Sequence, residues 1–540
     1  MPQEHIAASF LPRVEAALRA GDVAGAVELA RAALAMGERK GLLFALRARW
    51  HEQNGRFAQA CADLEKALQD TPDDPSLLIS VSRCLGNLGE FERAGAAARS
   101  ALAIGPKSAQ GNFHLGFALE QLGELDDSRG AYEAALAADP ALREAHARLA
   151  GLAARRGDWA GARTHAAANP GHPAARLAGI MADMAEGKFA DAEKEARALA
   201  EAARGQPQIC ASAVSFLGDA LHAQGRAAEA FDAYAEANEI QRRFAGAQFE
   251  AEGGETACAM AQRLTREFEA FNGAWNAPSA RQPVREHVFV LGFARSGTTL
   301  LAEILAGHPG AAVIDERPFL TEAIVEFAGT AEGIERIAMA SDESLTRWRQ
   351  LYWQRVAESG LNGDLVVDKA PFNTLHLPLI ARLFPEAKIV LAARDPRDVV
   401  FACFRRHFAL TPYTYEFLSL ETTAAFYEAT MRLAELYRAR LPLSVLEVRN
   451  EDVVADPEKQ VERLCEFLQL APTPEMTQFT RRDRRRAIAS PSAADLALGI
   501  RQAGAAGWSA YANQLAPVLP VLAPWVERFG YAAGGLAPVG

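Results

Sequence analysis

The first half of the chain repeats a pattern of apolar positions with helical spacing. Leu115, Leu119 and Leu122 lie on one face of a predicted helix, and Tyr132 and Leu136 lie on one face of the next. A glycine recurs every 34 residues, and a small residue follows five positions later. The pattern predicts helix pairs that turn at a glycine with positive φ and approach closely at the small residue. The glycines are Gly21, Gly55, Gly89, Gly123 and Gly157, and the small residues are Ala26, Ala60, Ala94, Ser128 and Ala162.

Prolines follow the same period. Pro72, Pro106 and Pro140 are 34 residues apart and follow the second helix of each unit, where a missing N–H does least harm. One helix pair cannot bury its apolar face alone, so the units must stack. A unit of this length and composition resembles the tetratricopeptide repeat. The resemblance covers roughly residues 10–240 and implies an α-solenoid over residues 1–245 that binds a peptide or protein. A spacer or a dimer surface is the alternative.

Turn-forming residues separate the two halves of the chain. Gly253 and Gly254, and the Asn-Ala-Pro-Ser sequence at 276–279, predict a connector over residues 246–285. We expect a helix around Met260–Phe271 within it, packed on the last repeat.

The second half opens with a predicted buried strand at His287–Gly292. A loop of small and polar residues follows, and then apolar residues at helical spacing. This order directs backbone N–H groups and a helix N-terminus at an anion. No lysine follows the loop glycine as in a nucleoside triphosphatase, which disfavours a nucleotide kinase, and a plain strand–turn–helix is the other alternative. The candidate anion-binding residues are Arg295, Ser296, Gly297, Thr298 and Thr299.

The sequence Arg-Ser-Gly-Thr-Thr-Leu at 295–300, placed after a buried strand, resembles a known nucleotide loop. It is similar to the 5′-phosphosulfate loop of sulfotransferases that use 3′-phosphoadenosine-5′-phosphosulfate, above all the tyrosylprotein sulfotransferases and their bacterial relatives. The resemblance spans roughly residues 286–530 within a predicted domain of residues 286–540. It implies an α/β P-loop-like domain with a mostly parallel sheet and helices on both faces.

The same resemblance implies roles for five further residues. Glu316 matches the general base that takes the acceptor's proton, and Lys369 matches the lysine near the oxygen that bridges sulfur and phosphate. Ser492 would assist Lys369 there, while Arg394 and Arg406 would hold the 3′-phosphate. The alternatives are a solvated loop carboxylate for Glu316 and an exposed loop lysine for Lys369.

Four positions depart from the family pattern. Ala402 and Asn450 replace a usual serine and tyrosine, and Gly507 replaces a basic residue before Trp508. Asp495 begins the sequence Asp-Leu-Ala where glutamine, valine and a basic residue are usual. Each loss removes about 1 kcal/mol or more of hydrogen bonding. These changes leave open a second hypothesis, in which the repeats bind a partner and a degenerate domain binds nucleotide without turnover. A basic run at 481–486 is either a ligand contact or a solvated helix face.

Composition and charge limit the class of protein and the cellular compartment that fit these motifs. The net charge of −11 disfavours a general nucleic-acid binder. The six cysteines show no metal-ligand spacing, no residue set requires a metal, and the pattern favours free thiols in a reducing compartment. No signal peptide or membrane-spanning run is evident, so we expect a cytoplasmic protein. The hydroxyl acceptor is open: protein tyrosine is attractive, and a saccharide, a lipid or a small phenol fits equally.

Overall fold

The computed structural model describes residues 10–250, 254–275, 286–329, 331–361, 363–478 and 507–532. Its contacts divide the chain into two compact units, one of residues 1–153 and 160–175 and the other of residues 154–159 and 176–540. Residues 176–245, which the periodicity assigns to the solenoid, thus form one unit with the second half of the chain. The domain boundaries at 245 and 285 stay predictions.

The first unit consists of the paired helices that the periodicity predicts. The turn glycines have positive φ, for example 75° at Gly21 and 76° at Gly123, and the small residue Ser128 is fully buried. Helices approach so closely that a Cβ on Gly116 would come within 2.7 Å of the Tyr132 ring. The small residues of the repeat therefore serve helix packing.

Fifteen helices precede the first strand in the described residues. They are α1 (Leu11–Arg19), α2 (Val23–Ala35), α3 (Gly41–Gln53), α4 (Phe57–Asp70), α5 (Pro75–Asn87), α6 (Phe91–Ile104), α7 (Ala109–Gln121), α8 (Leu125–Ala138), α9 (Arg143–Arg155), α10 (Trp159–Ala168), α11 (Pro173–Ala185), α12 (Phe189–Ala202), α13 (Pro207–Ala223), α14 (Ala227–Phe249) and α15 (Ala257–Ala270).

The second unit contains a sheet in which every neighbouring pair of strands is parallel, in the order β2-β3-β1-β4-β5. This confirms the predicted α/β class. The apolar run His287–Gly292 forms β1 as predicted, whereas β2, which is short and ends just before Glu316, was not predicted. The strands are β1 (Glu286–Gly292), β2 (Ala311–Asp315), β3 (Leu365–Lys369), β4 (Lys388–Ala393) and β5 (Ser444–Arg449).

Alternate residues of the central strand face two different cores. Val288 and Val290 pack with one apolar cluster, whereas Phe289 and Leu291 pack with another, so helices cover both faces of the sheet. The helices are α16 (Thr298–Leu305), α17 (Thr321–Ala328), α18 (Gly333–Met339), α19 (Asp342–Glu358), α20 (Leu377–Leu383), α21 (Pro396–Phe404), α22 (Pro412–Tyr415), α23 (Leu420–Arg440), α24 (Asn450–Ala455), α25 (Pro457–Leu468), α26 (Ala512–Leu515) and α27 (Leu519–Arg528).

Helices α13 to α15 share one core with a face of the sheet. Tyr234 of α14 and Phe401 of α21 belong to the same buried cluster, with ring centroids 6.3 Å apart. Helix α15 forms where a helix was expected, but it packs on α18 and α23 rather than on the last repeat. There the Phe268 ring lies 4.7 Å from that of Tyr437, and Arg440 donates to the Phe268 carbonyl.

Candidate functional site

The strand order locates the candidate site. Strand β1 is central, and the chain proceeds from it to β2 and β3 on one side and to β4 and β5 on the other. Parallel sheets bind ligands beyond the carboxyl ends of their strands at such a reversal. Arg295 follows β1 and Arg394 follows β4, and Arg394 Nη1 donates to the Arg295 carbonyl oxygen across 3.3 Å. The two predicted anion-binding segments therefore meet.

The loop after β1 has an unusual backbone. Arg295 and Gly297 have φ of 65° and 104°, in the left-handed region. A Cβ at Gly297 would come within 2.7 Å of Asn450 Oδ1, so only glycine fits there. Helix α16 begins at Thr298 without a side-chain cap. The positive end of the α16 dipole therefore lies at this loop, where it favours an anion.

The three loop hydroxyls lie at the base of this loop. Ser296, Thr298 and Thr299 are 3%, 3% and 6% exposed. The Ser296 hydroxyl donates to the Phe293 carbonyl oxygen at 2.7 Å, so its proton stabilises the loop itself. Thr374 Oγ1 fastens the end of β1 by accepting from the Gly292 N–H at 2.9 Å. The loop is thus pre-formed, which lowers the entropic cost of binding a ligand.

Arg394 offers donors to a ligand at the same place. Its side chain is only 12% exposed, and its Nη2 lies 3.9 Å from Asp398 Oδ2. Its Nε is buried and has no hydrogen-bond partner in the described chain. Burial raises the pKa of Asp398 to about 6, against the opposing effect of Arg394, and Asp398 also accepts from the Trp508 N–H at 3.0 Å. Asp398 therefore orients Arg394 through a long contact and leaves much of the guanidinium free to bind an anion.

Asn450 completes a set of donors around the loop. It begins α24 after β5 and is 6% exposed, with its side chain against Gly297. Its Nδ2 is buried without a partner among the described residues. Buried orphan donors cost free energy, and here two of them flank a bare helix N-terminus. A nucleotide with anionic oxygens supplies the acceptors that this donor set lacks, so the residues present fit such a donor molecule.

A buried lysine lies at the neighbouring strand end. Lys369 is 1% exposed at its side chain, and its Nζ lies 2.5 Å from both Asp315 Oδ1 and Glu316 Oε1. Burial acts to lower the pKa of Lys369, but the two carboxylates outweigh it, and the pKa lies above its ordinary value. The ammonium is therefore held charged in a low-dielectric position, where a cation acts most strongly on a developing negative charge.

The sheet register explains why these three residues meet. Strands β2 and β3 pair in parallel with Asp315 opposite Lys369, and the Glu316 N–H donates to the Lys369 carbonyl oxygen at 2.8 Å. Glu316 has a φ of 53°, which turns its side chain back toward Lys369. Sequence reasoning predicted Glu316 and Lys369 and missed Asp315. The signal was the apolar run Ala312–Ile314 ending in a carboxylate, which is a short buried strand.

A second buried chain of polar groups lies on the other face of β3. Asp368 Oδ2 accepts from the Tyr352 hydroxyl at 2.9 Å, and His287 Nε2 lies 2.9 Å from the same hydroxyl. Burial raises the pKa of Asp368 to about 7, while the Tyr352 hydrogen bond and Lys369 oppose it. Burial lowers the pKa of His287 to about 3. Sequence reasoning missed this chain, because no motif marks residues so far apart.

Arg406 takes a partner that its predicted role does not include. Its Nη1 lies 3.3 Å from Asp219 Oδ2 on α13, and both side chains are about 17% exposed (17% and 16%). Asp219 also accepts from the Tyr234 hydroxyl at 2.9 Å. Arg406 thus ties the segment after α21 to a repeat helix. Its contact with a 3′-phosphate stays a prediction.

The positions that depart from the family pattern lie in different parts of the chain. Ala402 is 7% exposed within α21, and a Cβ at Gly507 would lie 4.0 Å from Asp398 Oδ1. Ser492, Asp495 and the basic run at 481–486 lie outside the described residues. Of the four substituted positions, only Asn450 is seen against the anion loop.

Among the described residues, no cluster of histidine, cysteine, aspartate or glutamate side chains is arranged to hold a metal ion. Within the same residues, no helix combines the length and apolarity that crossing a bilayer requires. All six cysteines are free thiols.

Two families match separate parts of the chain. Residues 287–475 match the Sulfotransferase family. Five overlapping segments, 11–75, 46–109, 82–142, 113–173 and 177–245, match the Tetratricopeptide repeat. The first match contains both the anion loop and the Asp315–Glu316–Lys369 cluster.

Curated relatives resemble parts of the chain at low identity. An uncharacterized protein of Aquifex aeolicus is 26% identical over 249 residues, 44% of this chain and 32% of the relative. Protein-tyrosine sulfotransferase 1 of Danio rerio is 25% identical over 192 residues, 34% of this chain and 53% of the relative. An omega-hydroxy-beta-dihydromenaquinone-9 sulfotransferase of Mycobacterium tuberculosis is 24% identical over 160 residues, 28% of this chain and 41% of the relative. The chain thus spans from about a third to about half of the length of these relatives.

Solved structures resemble each part. The sulfotransferase domain of the Synechococcus PCC 7002 olefin synthase is 22% identical, with a TM-score of 0.32, covering 48% of this chain and 99% of that chain. PilW, a type IV pilus biogenesis factor, is 21% identical, with a TM-score of 0.31, covering 36% of this chain and 91% of that chain.

Proposed function

Since residues 287–475 match the Sulfotransferase family and follow segments that match the Tetratricopeptide repeat, we propose that the protein transfers a sulfuryl group to a hydroxyl acceptor. The donor is 3′-phosphoadenosine-5′-phosphosulfate. The observation that carries the proposal is Lys369, buried between Asp315 and Glu316 at 2.5 Å from each, on the strand next to the anion loop. A charged lysine buried there has little structural reason, because an apolar residue would cost less.

The groups around the anion loop divide between the two ends of the donor. The first-turn N–H groups of α16 and the Arg295 side chain hold the 5′-phosphosulfate, and Arg394 holds the 3′-phosphate, since a guanidinium matches a phosphate. Asn450 Nδ2 adds a neutral donor beside Gly297. The donor, when bound, supplies a sulfur–oxygen bond whose cleavage leaves negative charge on the bridging oxygen. Lys369 opposes that charge, and Ser492 is proposed to assist it.

The two carboxylates have different parts in this proposal. Glu316 is 45% exposed at its side chain, so an acceptor hydroxyl reaches it, and it takes the acceptor's proton. Asp315 is only 10% exposed and keeps its contact with Lys369. When Glu316 gains a proton, Asp315 therefore still balances the lysine charge, and Lys369 stays a cation as the bridging oxygen departs.

The repeats supply the argument about the acceptor. Helical repeat arrays present extended binding surfaces for other chains, so a protein acceptor is proposed, with tyrosine as the reacting residue. The Danio rerio relative named as a protein-tyrosine sulfotransferase supports the same proposal. Cytoplasmic location is proposed with it, since all six cysteines are thiols.

Sulfur-35 transfer from the labelled donor tests the proposal. A panel of acceptors would include a tyrosine peptide, a saccharide, a lipid alcohol and a small phenol. Wild-type protein should label at least one of them, and Glu316→Gln should lower the rate by about a hundredfold or more. Glu326→Gln is the matched control, because Glu326 is also a partly exposed carboxylate paired with a cation, in its case Arg347. Full activity of Glu316→Gln would remove the assigned base.

A second candidate function keeps the donor site without turnover. It is favoured by Ala402, which presents a methyl group in buried helix α21 where the family has a hydroxyl, and by the internal use of the Ser296 hydroxyl proton. In this case the repeats bind a partner and the nucleotide regulates that binding. Donor binding with no labelling of any acceptor would support this candidate over the enzyme.

A further inference from the structure

A cavity of about 300 Å³ lies between the repeat helices and the segment that follows α21. Its walls are the start of α13, residues 241–249 of α14, and residues 407–410. All of these belong to the second compact unit. The cavity is apart from the anion loop, Arg394 and the Asp315–Glu316–Lys369 cluster, so the proposed reaction does not use it.

The walls of this cavity are fastened on both sides. Asn238 Nδ2 of α14 donates to the Phe404 carbonyl oxygen at 2.9 Å, and Ser212 of α13 lies 3.1 Å from His407 Nε2. Beyond the cavity, the rings of Phe249 and Tyr415 stack with centroids 4.8 Å apart. Helix α14 and the segment therefore stay together at each end, and the space between them is a built feature.

One nearly buried amide faces the cavity. Gln241 is only 6% exposed and lines the cavity. Its amide is not among the buried polar atoms that lack a partner, so it lies at the open space of the cavity. A ligand that fills this space must therefore satisfy the donor and the acceptor of that amide.

The rest of the lining defines the chemistry of that ligand. Gln208 and Gln248 add two more amides, and Phe244, Phe249 and Phe408 add aromatic surface. Phe244 is 52% exposed, so its ring is open to a ligand. Among the described residues that line the cavity there is no aspartate, glutamate, lysine or arginine, and burial lowers the pKa of His407 to about 4, so its imidazole is neutral. A phosphate, a sulfate or an acidic sugar finds no countercharge here.

We propose that this cavity binds an uncharged segment of the polypeptide that carries the acceptor hydroxyl. The inference rests on the proposed function. A glutamine amide offers both a donor and an acceptor, as a peptide bond requires, and aromatic rings pack against apolar or proline side chains of such a segment. A lipid chain would leave the Gln241 amide unsatisfied.

The position of the cavity relative to the site sets the length of that segment. Helix α21 runs from the Arg394 end of the site to the cavity wall, and its nine residues span about 13 Å. Phe408 in the wall contacts Phe417 at 5.3 Å, and Phe417 contacts Phe293 of the anion loop at 5.7 Å. An extended chain covers that distance in about four residues. Acceptors should therefore need about four residues beyond the reacting one.

Fluorescence anisotropy on the full chain tests this inference. The probe is a labelled degenerate peptide library with a central tyrosine and five uncharged residues on each side, and N-acetyltyrosine amide is the short acceptor. Gln241→Leu and Phe244→Ala should each weaken library binding about fivefold or more. Arg243→Ala, on the same helix and outside the cavity lining, should bind as wild type does. Binding of 3′-phosphoadenosine-5′-phosphate should be unchanged in all three variants, which also shows that they fold.

The outcomes separate this inference from the proposed function. If both cavity variants bind the library as tightly as wild type, or if wild type does not bind it, the inference is overturned while donor binding is unaffected. If only a detergent-solubilised quinol binds and the variants lose it, the ligand is a lipid and the polypeptide assignment is overturned. If the variants lose library binding and wild type binds no donor nucleotide, the cavity is a polypeptide site and the proposed sulfuryl transfer fails.

Discussion

The repeats and the candidate site place residues in the left-handed backbone region for opposite reasons. In residues 10–250, every residue with positive φ is a glycine, such as Gly123 and Gly225 at their helix turns. In the site, Arg295 and Glu316 hold the same conformation with φ of 65° and 53°. The described chain has two other such residues, Glu332 and Gln469, and both lie at helix ends.

The difference shows where the chain accepts strain. Glycine adopts the left-handed region at little cost, whereas another residue costs about 1–2 kcal/mol there. The repeats need only a turn, so glycine suffices. The site needs a guanidinium and a carboxylate at positions where the backbone must also bend. Residues other than glycine therefore adopt a strained backbone conformation there. A buried ammonium and a buried carboxylate, Lys369 and Asp368, add electrostatic cost in the same region.

The largest expected effect comes from Lys369→Met, which removes the buried cation and keeps its apolar stem. The rate of sulfuryl transfer should fall by about a hundredfold or more, because the variant loses the positive charge that opposes the developing charge on the leaving oxygen. Single-turnover transfer with the labelled donor measures it. Lys388→Met is the control, since Lys388 is another lysine of the sheet with a carboxylate nearby, but its side chain is 17% exposed. Equal rates in the two variants would show that the charge of Lys369 has no role in transfer and that the buried lysine serves only the fold.

A second effect tests the cost of burying Asp368. Burial raises the pKa of Asp368 to about 7, above its ordinary value in the unfolded chain. At a pH between these two pKa values, the folded protein holds a proton on Asp368 that the unfolded chain has released. This proton binding favours the folded state at low pH, and the contribution is lost as the pH rises through about 7. Asp368→Asn does not titrate and should therefore gain stability relative to wild type as the pH rises from 5 to 8.

Urea unfolding at pH 5 and pH 8 measures this gain. Asp364→Asn, which changes an exposed carboxylate just before the same strand, should show no such dependence. A stability difference for Asp368→Asn that is the same at both pH values would mean that Asp368 is not neutral in the folded protein at low pH.

The smallest effect addresses the strain directly. Glu316→Gly and Glu316→Gln both remove the proposed base, so both should be inactive, but only glycine relieves the left-handed backbone. Glu316→Gly should be more stable than Glu316→Gln by about 1 kcal/mol. Gly123→Ala, the converse change in a repeat turn where a Cβ meets no atom within 4 Å, should lose about 1 kcal/mol. Equal stabilities of the two Glu316 variants would remove the strain argument.

The regular parts of the molecule could be predicted from the sequence. A period of 34 residues predicts the helix pairs, because the same turn glycine and the same small packing residue recur in each unit. Strand β1 and the Arg295–Thr299 loop also follow from local pattern, since an apolar run and a small-residue turn are close together in the chain.

The parts that depend on long-range pairing could not be predicted. Asp315 becomes a partner of Lys369 only because β2 pairs with β3, and its five residues give a weak local signal. The His287–Tyr352–Asp368 chain joins residues from a strand, a helix and another strand. The family resemblance assigned Arg406 to the 3′-phosphate of the donor. Its partner Asp219 lies on α13, in a repeat that the sulfotransferase resemblance does not cover.

The central claim is that the strained loop and Arg394 bind the donor nucleotide. Calorimetric titration of the full chain with 3′-phosphoadenosine-5′-phosphate, beside an Arg295→Ala/Arg394→Ala double variant, tests it most directly. The structure predicts binding by the wild type in the low micromolar range and its loss in the double variant. Absence of binding by the wild type, or equal binding by both proteins, would contradict the assignment of this site.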